Sequence, residues 1–152
     1  MTTTETAFFS INTVTEVTKR QVQNLLVDLF ETCCPSWLHR VEHVNLPVGL
    51  ALNDFRKGGK MQSEEYFHWT QIVPVTDGCS LTLLVNNPDS RNKEKLPEFK
   101  KFVLDIDSIQ KGLEIMAEKY PSQWKIFIDE NDDADTSDIF GQCVVYGEII
   151  YG

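Results

Sequence analysis

The sequence predicts a single α+β domain: an antiparallel sheet of about four or five strands, an N-terminal helix and a helical C-terminal cap. Three observations predict it. Apolar residues recur at helical spacing near residue 22 and again beyond residue 109, but with a period of two in several segments between them. Pro, Gly and Asp clusters separate those segments. With 152 residues, 41% hydrophobic and 11% aromatic, the chain can bury one core without metal or disulfide staples.

Residues 11–17 (INTVTEV) alternate and predict a first strand. Thr18 and Gln21 have capping-box spacing, which satisfies otherwise free amides at a helix start. Val22, Leu25, Leu26, Leu29, Phe30 and Cys33 then form one apolar helix face, which Pro35 ends. From Trp37 to Leu46 the period becomes two, predicting a strand. Residues 47–63 carry Pro47, Gly49, Gly58 and Gly59 with Arg56, Lys57 and Lys60, the composition of a basic loop. YFHWTQIV (66–73) and SLTLLV (80–85), parted by Pro74, Asp77 and Gly78, predict an antiparallel hairpin.

Residues 86–95 (NNPDSRNKEK) read as a polar loop and 99–106 as the last strand. Asp107 or Ser108 is placed to cap a helix with Ile109, Leu113, Met116, Ala117 and Tyr120 on one face, and Pro121 stops it. Ser122 is placed to cap a short helix bearing Trp124, Phe127 and Ile128. Asp135, Thr136 or Ser137 opens a further helix with Ile139, Phe140, Cys143, Val144 and Gly147 in one stripe. Gly147 alternatively terminates it and leaves a short extended tail. No repeat or linker divides the chain.

Charge is distributed unevenly. Residues 105–138 hold ten Asp or Glu against three Lys, which is −7 of the total −9, whereas residues 1–104 hold 12 acidic and 11 basic residues. The acidic balance opposes direct binding to nucleic acid and is compatible with a basic protein partner. The split also allows self-association of the chain, head to tail or as a symmetric pair. No run of 18 apolar residues exists, so no membrane-spanning helix is expected. The polar N-terminus lacks a basic, apolar signal pattern, which places the chain in the cytoplasm. Cys33, Cys34, Cys79 and Cys143 lack CxxC spacing and read as small reduced thiols.

VQNLLVDLFE (22–31) followed by Trp37, GLEIMAEKYP (112–121) and ENDDADTSDIFGQCVVYGEIIYG (130–152) resemble a group of small bacteriophage and mobile-element proteins of uncharacterised function. The likeness covers roughly half the chain, at its two ends. That group tends to carry small, glycine-type residues after the first helix, where this chain has Thr32, Cys33 and Cys34. The resemblance implies a host bacterial cell as the setting and brings no catalytic residues.

Several constellations invite chemistry. Asp129, Asn131, Asp133 and Asp135 take positions 1, 3, 5 and 7 of an EF-hand-like loop, but Ala134 and Phe140 stand where a sharp turn and a bidentate Glu are required. Helix capping is the simpler reading, since Asp132, Asp133 and Asp135 precede a helix, where carboxylates cap free amides and oppose the positive dipole end. His39-Arg40-Val41-Glu42-His43 has the letters H-x-x-E-H, a zinc-peptidase pattern that needs both histidines one helical turn apart. On a strand they stand ~13 Å apart. His68-Trp69-Thr70 is a lone H-x-T, where two-histidine phosphoesterases use two facing pairs. Cys33 or Cys34 beside His39 is the one cysteine-nucleophile arrangement, and burial of Cys33 on its helix face opposes it. The aromatics Tyr66, Phe67, Trp69 and Trp124 lack a basic groove and read as core.

The sequence therefore reads as a non-enzymatic accessory protein with no cofactor and no metal. It is expected to bind a host or viral macromolecule through an acidic surface formed by Asp129, Glu130, Asp132, Asp133, Asp135 and Asp138. A small metal- or histidine-dependent hydrolase and a structural, oligomer-forming component are the alternatives.

Overall fold

A computed structural model describes residues 7–11, 15–63, 65–91 and 96–152. The fold is α+β: five strands among the described residues, arranged as two antiparallel sheets rather than one. β1 (Ala7–Ile11) pairs with β2 (Thr15–Thr18). Ile11 lies opposite Thr15, so the strand expected over 11–17 is two strands folded back on each other; residues 12–14 lie outside the described residues. The second sheet has the order β3-β4-β5, from Leu38–Asn45, Ser80–Asn86 and Phe99–Leu104.

β4 alternates strictly, with Leu81, Leu83 and Val85 buried. β3 does not. Two register shifts along it place Leu38, Val41 and Val44, rather than alternate residues, opposite Val85, Leu83 and Leu81. Extra residues in a bulged strand let an apolar residue every third position still face the core. The outer face of this sheet carries Arg40, His43, Leu84, Lys101 and Val103, the last 48% exposed.

α1 (Lys19–Val27) has the predicted capping box: Thr18 accepts from the Gln21 amide at 3.2 Å while Gln21 accepts from the Thr18 amide at 2.8 Å. Val22, Leu25 and Leu26 are fully buried. The helix then widens into a π-helical segment, Asp28–Cys33, and ends at Cys34, whose φ is 44° and whose amide reaches back to the Leu29 carbonyl.

The expected strand 66–73 is absent. Its place is taken by α2 (Trp69–Ile72), which runs into a 3-10 turn at Val73–Val75. His68 caps α2 through Nδ1, and Gln71 returns the bond by accepting from the His68 amide at 2.8 Å. β4 therefore pairs with β3 and β5, and the expected hairpin partner is replaced.

Three helices close the chain: α3 (Ile106–Lys119), α4 (Pro121–Ile128) and α5 (Ala134–Tyr146). Each starts earlier than its expected cap. Asp105, not Asp107 or Ser108, caps α3 and accepts from the Ser108 amide at 2.8 Å. Pro121 occupies the first position of α4, where its missing N–H costs nothing. Asp133 caps α5, and Gly147 terminates it at φ 76°, donating to the carbonyls of Cys143 and Gln142. α3 and α5 approach to backbone distance, since a Cβ on Gly112 would lie 2.7 Å from Val144 Cα.

One core joins these parts, from Phe9, Val17 and Leu26 through Leu81 and Leu83 to Ile109, Leu113 and Phe140. The final residues are tied down by Gln142, itself 1% exposed. Its Oε1 accepts from the amides of Ile150 and Tyr151, and its Nε2 donates to the Tyr151 carbonyl. Among the described residues no helix is long and apolar enough to cross a membrane.

Candidate acidic binding site

The carboxylates predicted to share a surface separate into two groups by what they bond. Asp138 turns inward. Its Oδ1 accepts from Trp37 Nε1 at 2.7 Å and from Gln142 Nε2 at 3.0 Å, so it orients an indole that is only 1% exposed. Asp133 is the α5 cap, accepting from the Thr136 amide at 3.0 Å and the Thr136 hydroxyl at 3.2 Å. The bond from the Thr136 amide holds its carboxyl below the usual carboxylate range. Asp129 pairs with Lys125 one turn earlier at 2.7 Å, an exposed i,i+4 pair of small energetic weight. Asp135 is exposed in the first turn of α5, where negative charge favours the helix dipole.

Glu130 and Asp132 differ from these. Glu130 ends the turn after α4 at φ 58°, a left-handed conformation, with its amide on the Phe127 carbonyl. Asp132 is half-buried. Both line a cavity of about 300 Å³ whose other wall is α1, through Gln21 and Asn24, and the residue after it, Asp28. Asp28 opens the π-helical segment, and its Oδ2 accepts from the Ser137 hydroxyl at 3.4 Å.

Three carboxylates thus border one cavity. Burial pushes the Asp132 carboxyl upward; its own backbone amide opposes this, and the negative charges of Asp28, Glu130 and Asp133 add to it. The apolar parts of the lining are Val27 and Phe127, and Gln21 and Asn24 supply amides. Among the described residues no three His, Cys, Asp or Glu side chains are grouped to hold a metal ion. Carboxylates spread around one cleft offer several acceptors to a cation.

Asp28 was invisible to a reading that followed the acidic run. A signal was present, because Gln21, Asn24 and Asp28 recur at i, i+3 and i+7 and form a polar stripe beside the apolar face of α1.

His39 and His43 lie on β3, with His39 Nε2 2.6 Å from Asn86 Oδ1 and its ring 4.3 Å from that of Phe99. His68-x-Thr70 is a helix cap, with His68 Nδ1 2.9 Å from the Thr70 hydroxyl. Cys33 is pushed up chiefly by burial and further by Asp138, the opposite of an activated nucleophile. Cys143 is buried and pushed up to about 12. Of the basic residues near this sheet, Lys93 and Lys95 lie outside the described residues, and Lys101 is exposed on the outer sheet face. No protein-family model, curated protein or solved structure matches this chain.

Proposed function

We propose that this protein is a non-enzymatic binding protein whose acidic corner, Asp28, Glu130 and Asp132, receives a Lys or Arg side chain of a protein partner. The observation that carries the reading is the position of Asp132. A half-buried carboxylate faces two others across one cavity, and burial and their charge both disfavour its ionisation. A cation in the cavity relieves that cost, so binding energy is available there. Asp135 adds an exposed charge on the same segment that steers a basic partner.

The likeness of the two ends of the chain to bacteriophage and mobile-element proteins makes an accessory role in an infected or carrier bacterium the setting we favour. Four cysteines without a disulfide fit a reducing cytoplasm.

The test compares wild type with a Glu130→Gln/Asp132→Asn double variant in binding an arginine-rich peptide and in capturing partners from host lysate. The variant is expected to fold normally and to lose the interaction, and raised salt is expected to reproduce the loss in wild type. Retention of the same partners at both salt levels by both proteins overturns the reading.

A further inference from the structure

A second cavity, sharing no lining residue with the acidic corner, lies between α1 and the α2 region and encloses about 370 Å³. Its apolar lining includes Met61, Ile72 and Val75, of which Val75 is fully buried and Ile72 6% exposed. Lys19 and Asp77 also border it, both exposed. Lys19 Nζ sits 4.7 Å from the centre of the Phe8 ring. Among the described residues no ion pair joins Lys19 to Asp77 or takes either elsewhere.

The informative residue is Gln23. It lies on the buried side of α1, 8% exposed, and lines this cavity. Among the described residues its amide has no hydrogen-bond partner, yet no side-chain polar atom is both fully enclosed and unpaired. Its amide therefore meets solvent, and the cavity is where it does so. Gln71, buried on α2, shows the contrast: its amide is bonded to the Thr70 hydroxyl and the His68 amide. The Gln23 amide therefore keeps its hydrogen-bonding capacity for whatever occupies the cavity, water or a ligand.

We propose that this cavity binds a free apolar α-amino acid. Lys19 complements the carboxylate, Asp77 the ammonium, Gln23 supplies the buried hydrogen bond, and the side chain packs on Met61, Ile72 and Val75. The size favours a molecule of this class over a peptide, since it lies at the low end of the ~300–1,000 Å³ range of small-ligand sites. A cation and an anion that border one cavity without an ion pair between them, with a buried amide and apolar lining, complement a zwitterion carrying a hydrophobic group.

The experiment is amide-resolved NMR titration of the full chain with L-leucine, L-methionine and L-phenylalanine, each up to ~10 mM, well above a millimolar Kd. Saturable shifts at Gln23, Ile72 and Val75 are expected from at least one of them. Leucinamide and N-acetyl-leucine, each lacking one charge, should bind about tenfold more weakly than leucine, as should Lys19→Gln and Asp77→Asn toward the free amino acid. Gln23→Leu should abolish binding while leaving the melting temperature unchanged or raised, because no hydrogen bond within the chain is lost. No shift with any of the three amino acids overturns the proposal. So do equal affinities for leucine and its two derivatives, or a Gln23→Leu variant that binds as wild type does.

Discussion

At the scale of single residues, the acidic segment is a division of labour. Asp138 serves Trp37, Asp133 serves the first turn of α5, and Asp132 is left facing other acids. These roles predict different mutational outcomes. Asp138→Ala leaves the buried Trp37 N–H without its acceptor and should cost about 1–3 kcal/mol in chemical denaturation, whereas Asp138→Asn, which keeps an acceptor, should cost less. Asp132 predicts the reverse. Its folded-state pKa is raised, so its contribution is fully present below its unfolded pKa and is lost as pH rises through the folded value. Asp132→Asn should therefore melt at a higher temperature than wild type at neutral pH. The gap should close on acidification below the unfolded pKa, where both side chains are neutral. A variant that melts lower than wild type at neutral pH would show that the ionised carboxylate is structural. Capping by a carboxylate of this run could be read from the sequence, but the roles of Asp138 and Asp132 could not, because Trp37 and Asp28 lie far away in sequence.

At the scale of elements, periodicity was reliable where one face packs continuously and failed where it was interrupted. The Val22–Leu29 stripe and its capping box are seen as expected, and Leu29→Ala, at a site 2% exposed, should cost about 2–5 kcal/mol. The segment 66–73 is rich in strand-favouring residues yet forms a helical turn, since His68 and Gln71 reproduce capping-box geometry with an imidazole as the cap. In β3 the bulges replace a period of two by a spacing of three, which blurs the pattern without changing the strand. The α3–α5 contact adds a further test. Ala is favoured over Gly in a helix by about 1 kcal/mol, but a methyl at Gly112 would meet Val144 backbone, which cannot move aside. Gly112→Ala should therefore destabilise by about 1–3 kcal/mol despite its better propensity. A denaturation midpoint equal to or above wild type would mean that the two helices can separate without loss.

At the scale of the whole molecule, the fold class and the uneven charge were legible in the sequence, whereas the meeting of α1 with the α4–α5 turn was not. That meeting is a tertiary event, and it brings Asp28 to Glu130 and Asp132. A chain of net charge −9 with its acids concentrated in one region repels itself there, so added salt should raise the melting temperature of wild type. The rise should be smaller for Glu130→Gln/Asp132→Asn. The same double variant supplies the most direct measurement: calorimetric titration of wild type and variant with an arginine-rich peptide at low and high salt, alongside their melting temperatures. A binding corner predicts that wild type binds, that salt weakens it, and that the variant binds at least about tenfold more weakly while being no less stable. Equal peptide affinity for the two proteins, or no binding by wild type at low salt, would contradict a cation-receiving role for Asp28, Glu130 and Asp132.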